Sequence, residues 1–531
     1  MLLLLIWTAV ICAALYLYFK RLYSRFDSKD VKTFKSNMWN NLRILFKFDH
    51  FADQMTRLYE QFPGERFVGR FDLMNPMLIV LDIELIKKIT VKDFEYFIDH
   101  RTIIDGKIDP LFGRNLFSLK GDEWKDMRST LSPAFTSSKI RLMVPFMVEV
   151  GKQMIKAVKE KSRDSQLGYI DVDVKDMTTR YANDVIASCG FGLSVDSHAE
   201  RGNKFYEQVK EVANMNVKRL LIFMGLASAP KLMKVLKLSL FSDEARTFFK
   251  SLVMSTMEER QERNIVRPDM IHLLMEAKKG NLTHDENTTK DIDAGFATVE
   301  ESSIGRKKVN REWSDDDLTA QVILFFMAGF ETVSSAMSFL LHELAVNTDV
   351  QHKLYREIIK YDAKNGGKFD YTSIQNMTYM DMVVSEVLRL WPPAIALDRT
   401  CAKDYNCGKS NVDVKQDFIL RKGESLAVPT WAIHRDPKFF PNPNKFDPER
   451  FSNENKHTIP PFAYMPFGLG PRNCIGSRFA LCEVKIMAYQ LLKEMELSPA
   501  EKTCIPAKLE PGGFNLKLKG GHWVRMTPRQ S

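Results

Sequence analysis

Residues Pro466 to Gly476 read PFGLGPRNCIG, a glycine-punctuated loop that isolates one cysteine, Cys474, with Arg472 two residues before it. A thiolate that ligates a metal is held deprotonated by nearby positive charge and by backbone N–H groups pointing at sulfur. Gly468, Gly470 and Gly476 are expected to adopt backbone conformations closed to other residues, so that the chain turns sharply and a flat ligand lies close against it. The next segment, SRFALCEVKIMAYQLLKEM, has apolar residues at helical spacing, which puts Cys474 just before a helix start, where the dipole favours an anion. For an arbitrary Gly-rich cysteine, a buried free thiol is the commoner meaning. The ordered string of aromatic, glycine, arginine and cysteine argues instead for a thiolate metal ligand.

The spacing of Phe467, Gly470, Arg472, Cys474 and Gly476 resembles the haem-binding signature of the cytochrome P-450 superfamily. Three more matches stand upstream. Glu386 and Arg389 form an ExxR pair in SEVLRLWPP, FDPERF at Phe446 to Phe451 supplies Arg450, and AGFET at Ala328 to Thr332 is similar to the oxygen-binding part of the family's long central helix. The resemblance covers nearly everything after about residue 60. It implies a mainly α fold with a small β region: a helical haem-binding body with a sheet on its N-terminal side. It also implies haem b with Cys474 as the axial iron ligand and dioxygen as co-substrate. The implied activity is a monooxygenase that draws on NADPH only through NADPH-cytochrome P-450 reductase, with cytochrome b5 as a further partner.

Thiolate ligation favours O–O cleavage over reversible oxygen storage, and N–H groups of the loop restrain the basicity of sulfur. Phe467 would cover the sulfur side. Haem also brings two carboxylates that need cationic or hydrogen-bonding partners once buried. Trp124 and Arg128, four residues apart, share a helix face and are expected to reach the same propionate. Arg399 and Arg472 match other family positions with this role, and Arg101 in DHRTIID is a further candidate.

In the central helix, Ala328 and Gly329 lack bulk, so a macrocycle with bound oxygen is expected to come close. Glu331 and Thr332 place an acid and a hydroxyl at a site walled by Phe325, Phe326 and Phe330. By resemblance Thr332 is assigned to oxygen activation and Glu331 to the water and proton network; a threonine also back-bonds within its own helix. Glu386, Arg389 and Arg450 are implied to form a buried ion-pair network behind the haem, a structural role. Substrate contacts are expected from Phe112, Phe325, Phe326, Phe330 and the run Ala394, Ile395, Ala396 and Leu397, residues that serve equally well as plain core.

Composition sets the frame. With 45% hydrophobic and 27% charged residues the chain is ordinary globular protein, and its net charge of +9, not blocked into a tail, supports a weak preference for acidic partners and no nucleic acid. Seven scattered cysteines fit a reducing compartment better than a disulfide framework, and Cys401 and Cys407 read as two unpaired thiols rather than a closed loop. Residues 2 to 19 form an uncharged apolar run of bilayer-spanning length, and Lys20, Arg21 and Arg25 follow it. That order marks a signal anchor in the endoplasmic reticulum membrane, with the catalytic body cytosolic and the sequons at Asn281, Asn287 and Asn376 unglycosylated.

Residues 1–25 are therefore expected to be anchor and basic flank, 26–60 a linker lacking the usual proline-rich hinge, and 61–531 the catalytic domain. Within the last, RFVGRF and MLIVLD read as a hairpin turning at Asn75-Pro76, and DIELIKKI as a helix capped by Asp82. Lys278 to Asp317 reads as a long charged surface loop before a helix opening at Ser314. LLIFMGL at Leu220 to Leu226 fits either a membrane-touching segment or a buried helix.

The sequence ITVKDFEYFIDHR resembles insect microsomal members of the xenobiotic-metabolising group, which implies plant toxins or insecticides as substrates. The rivals are a reductase-independent haem-thiolate isomerase or dehydratase, a haem-based sensor, and a biosynthetic monooxygenase of an endogenous lipid or hormone. The acid and hydroxyl of Glu331-Thr332 argue against the first.

Overall fold

The computed structural model describes residues 24–27, 30–34, 47–72, 75–101, 109–200, 202–213, 241–282, 295–302, 311–367, 370–513 and 515–529, with isolated residues elsewhere. The anchor read at 2–19 and the stretch 220–226 lie mostly outside them. Among the described residues of the former, Ile6, Trp7, Tyr16 and Leu17 are helical and exposed.

The helices that position the site are α1 Phe51–Gln61, α2 Ile83–Lys87, α3 Gly121–Leu131, α4 Ser137–Asp164, α5 Val174–Ile186, α6 Asp243–Glu262, α7 Asp315–Val346, α8 Thr348–Lys364, α9 Thr378–Leu390 and α10 Ser477–Glu494. The strands are β1 Thr33–Phe34, β2 Phe67–Asp72, β3 Asn75–Val80, β4 Ile170–Asp173, β5 Leu397–Thr400, β6 Tyr405–Asn406, β7 Ile419–Leu420, β8 Ser425–Val428, β9 Met495–Pro499 and β10 Trp523–Pro528. The main sheet runs β1-β2-β3-β8-β5, a second runs β4-β10-β9, and β6 pairs with β7. Mainly α with small β regions is what the motifs imply.

The hairpin forms as expected, with Phe67 opposite Val80 and Asp72 opposite Asn75, but Asn75 and Pro76 open β3 rather than making the turn. Asp82 caps α2 by accepting the Leu85 N–H at 2.8 Å. Ser314 opens α7 with a capping box to Asp317, and Asp315, Asp316 and Asp317 complement its dipole. Although α7 is long and apolar enough to cross a membrane, it runs through the protein interior. Nearly every side chain from Val333 to Ala345 is buried.

Within the stretch 26–60, described residues join the body. Thr33 and Phe34 lie beside Gly69 and Arg70 in the main sheet. Phe26 seats on Gly69, where a side-chain carbon would stand 2.5 Å from its ring. Helix α1, capped by His50, buries Ala52, Met55 and Leu58. Arg25, of the basic flank, is paired with Glu424 at 2.7 Å. Within the expected surface loop from 278 to 317, the described residues Phe296 and Ala297 pack into the body.

Candidate active site

The cysteine loop is built by two glycines. Gly468 and Gly470 hold φ of 76° and 68°, and a side-chain carbon on Gly470 would lie 1.8 Å from the Thr90 carbonyl oxygen, so neither position admits another residue without strain. Gly476 differs: its φ is −94°, which any residue adopts. The Cys474 N–H closes the loop on the Phe467 carbonyl at 2.8 Å, and α10 begins at Ser477. Cys474 lies deep in the body, where burial pushes its thiol up against the opposing pull of the Gly476 N–H and the Arg128 charge. Its side chain is nevertheless exposed, so it opens on an interior space.

The central helix opens on such a space too. Ala328 and Thr332, one turn apart on one face, are exposed while Phe326, Phe330 and Val333 are buried. Phe135 joins the two walls: its ring lies 5.1 Å from that of Phe325, and a side-chain carbon on Gly476 would meet it at 3.8 Å. Thr332 donates its hydroxyl hydrogen to the Ala328 carbonyl, keeping its lone pairs free to accept. Glu331 lies about 100° further round the helix, paired with Lys175 at 3.2 Å. Lys175 also donates to Ser334 and Ser335 at 2.8 and 2.9 Å, and burial lowers its pKa.

Gly329 is held small by a helix contact. A side-chain carbon there would stand 2.8 Å from Ile186 Cδ1, so its smallness lets α5 pack on α7.

Three cations gather near the loop. Arg472 sits 4.0 Å over the Trp124 ring and donates to the carbonyls of Ile98 and Leu119 at 2.6 and 2.7 Å. Its nearest carboxylate is Asp99 at 3.8 Å. Burial, reinforced by the neighbouring Arg399, pushes the Arg472 pKa down to about 8. Arg399 donates to the Asp398 carbonyl at 2.6 Å, while its buried Nε has no partner among the described residues.

Arg128 is otherwise engaged. Its Nε and Nη2 bind the Glu301 carboxylate at 3.1 and 2.7 Å, and Nη1 and Nη2 bind the Asn473 carbonyl and side-chain oxygen at 2.8 Å. Most of its donors are therefore spent on protein rather than on a propionate. Arg101 pairs with Asp72 and gives its backbone N–H to Asp398.

The residues present fit a haem. An orphaned buried guanidinium N–H on Arg399 and the strained charge of Arg472 call for buried anions, as two propionates would supply. A metal cation at Cys474 would reverse the burial that favours the thiol.

Behind the site, Glu386 and Arg389 form a two-pronged pair at 2.7 and 2.8 Å, and Arg450 joins at 3.3 Å. Sequence reasoning missed His434. Its carbonyl accepts from Arg389 at 2.8 Å, and its Nε2 accepts the Met465 N–H at 2.9 Å, tying the network to the residue before the cysteine loop. Burial holds this imidazole neutral, with a pKa lowered to about 3.

Of the expected substrate contacts, Phe326, Phe330 and Ile395 are closed in the core, Phe326 stacking on Phe330 at 5.7 Å. Phe112, Phe325, Ala394, Ala396 and Leu397 are half-buried.

A family model described as cytochrome P450 matches residues 32–524. Over 490 residues the chain is 46% identical to cytochrome P450 9e2 of Blattella germanica, covering 90% of this chain and 89% of that protein. Over 496 residues it is 45% identical to the probable cytochrome P450 9f2 of Drosophila melanogaster, covering 92% and 90%. Over 478 residues it is 37% identical to the probable cytochrome P450 6a13 of the same fly, covering 90% and 89%.

Proposed function

The chain belongs to the cytochrome P-450 family and is a haem-dependent monooxygenase; from that premise we propose that it oxidises apolar xenobiotics with electrons passed from NADPH through a flavoprotein reductase. The observation that carries the reading is the opening of Cys474, Ala328 and Thr332 onto interior space within an otherwise tightly packed body. Haem held by a thiolate supplies the redox chemistry that splits dioxygen, one oxygen atom entering the substrate and the other leaving as water.

The chain's own residues bind, orient and manage protons. Cys474 provides the ligand, and the Gly476 N–H restrains its charge. Arg399 and Arg472 receive the carboxylates, with Trp124 packed beneath Arg472. Thr332 accepts a hydrogen bond from water at its lone pairs, and Glu331, kept near Lys175, supplies the charge that orients the same water. Phe112, Phe325, Ala394, Ala396 and Leu397 offer an apolar wall that excludes bulk water and receives the substrate.

The exposed apolar helical residues Ile6, Trp7, Tyr16 and Leu17 support an N-terminal anchor in the endoplasmic reticulum with the body cytosolic. Glycan addition at Asn281 or Asn287 in cells would contradict that topology. For the activity, loss of candidate plant toxins and insecticides is measured in membranes with NADPH, with and without reductase. Reductase-dependent conversion to products bearing one added oxygen is expected, and conversion independent of reductase would overturn the reading.

A further inference from the structure

This inference rests on the reading just given, in which electrons arrive through a flavoprotein reductase, and it takes that partner to dock on the cysteine face. Residues 295–302 come from a charged stretch without helical or strand periodicity, yet they lie along the cysteine loop. Phe296 sits against Phe451 and Tyr464, with ring centres 5.1 and 5.4 Å away, and its N–H donates to Asp381 at 2.9 Å. Asn473, immediately before Cys474, donates to the Glu300 carbonyl at 2.9 Å. Glu301 grips Arg128 with both carboxylate oxygens. An open groove of about 540 Å³ runs between this segment and the loop, lined by Val91, Phe296, Glu301, Leu469, Gly470 and Asn473 among others. Lys88 and Lys92, exposed on either side of Val91, make the far rim basic.

The charges are arranged in a telling way. A basic rim suits an acidic partner, but Arg128, whose charge acts on Cys474, is already neutralised in cis by Glu301. Arg128 is 3% exposed as a side chain and Glu301 18%, so the carboxylate is reachable from outside while the guanidinium is not free to go unpaired. One carboxylate can be exchanged for another at little net cost; removal without replacement is expensive. The Phe296 anchor keeps Glu301 at high effective concentration beside Arg128, which is how a tethered group outcompetes a free one.

We propose that Gly295–Ser302 is an acidic strap that occupies the cysteine face in cis, and that an acidic electron-donating flavoprotein docks by displacing Glu301 from Arg128. The strap then lowers the apparent affinity of the partner by the fraction of molecules in which it is closed.

The test uses the full-length protein in membranes with purified NADPH-dependent flavoprotein reductase, titrating reductase at low and high salt. Glu301→Gln should lower the KM for reductase by about three- to tenfold at low salt, with a smaller gain at high salt. Phe296→Ala, which keeps Glu301 but loosens its anchor, should move KM in the same direction. A strap that only braces the fold would lower haem content and kcat without lowering KM. An unchanged or raised KM in both variants, with normal reductase-driven turnover of the unsubstituted protein, would overturn the strap and leave the functional reading intact. Absence of reductase-driven turnover in the unsubstituted protein would remove both.

Discussion

Two groups of largely buried arginines differ in one respect: only one of them is completed by the protein. In the network of Glu386, Arg389 and Arg450, the Glu386 carboxylate takes both arginines and the Asp447 N–H, and Arg389 finishes on the carbonyls of His434 and Lys445. In the group of Arg399 and Arg472 the acceptors are mostly carbonyls, one N–H is orphaned, and the charges repel. The first is finished by the protein alone, as a brace is. The second leaves a demand that outside anions would meet, and the proposed haem propionates are anions of that kind.

The sharpest break of the comparison is Arg389→Ala. It leaves Glu386 buried without its main partner and should destabilise the protein by about 3–5 kcal/mol in urea unfolding. A smaller effect is expected at Glu343, which accepts from Trp391 at 2.8 Å and from Asn347 but has no ion-pair partner among the described residues. Burial raises its pKa from 4.5 to about 7. Because the folded value lies above the unfolded one, the native state holds an extra proton between them. The associated stability is complete below the unfolded pKa and is lost as pH rises through about 7. Glu343→Gln should remove this slope and be the more stable form at pH 8 by about 2–3 kcal/mol.

Arg399→Gln probes the unfinished group. Unfolding should change by less than about 1 kcal/mol, since an unsatisfied charge has been removed, while haem dissociation should rise about tenfold. Equal losses in stability at Arg389 and Arg399 would erase the distinction between the two groups. The smallest effect is at Thr332. Its proton is already given to Ala328, and water can stand in for the hydroxyl, so Thr332→Ala should cut product formed per NADPH by only about threefold, well under the range usual for acid–base groups. Peroxide released per NADPH measures it, and unchanged coupling would leave Thr332 as packing.

The sequence made most of the catalytic chemistry readable because metal ligation and tight turns demand particular residues at fixed spacing. Cys474, Gly470, the ExxR pair and the Ser314 cap all stand where their local rules put them. The contact of Gly329 with Ile186 was not readable, because a small residue serves a helix contact and a ligand contact equally well and nothing local separates the two. The protein partners of Arg101 and Arg128 were not readable, because Asp72 and Glu301 are 29 and 173 residues away in sequence. Glu301, Lys175 and His434 carried no local pattern at all; each acquires its role only when distant segments meet. The pairing of Thr33 and Phe34 with the main sheet was hidden for the same reason, since a two-residue strand beside Gly69 leaves no periodic trace.

The central claim is that Cys474 is the iron ligand. The direct measurement is the carbon-monoxide difference spectrum of the reduced, haem-loaded protein, compared between the unsubstituted chain and Cys474→Ser. The thiolate-type band should be present in the first and absent in the second, and a band of the same type that survives the substitution would contradict the account.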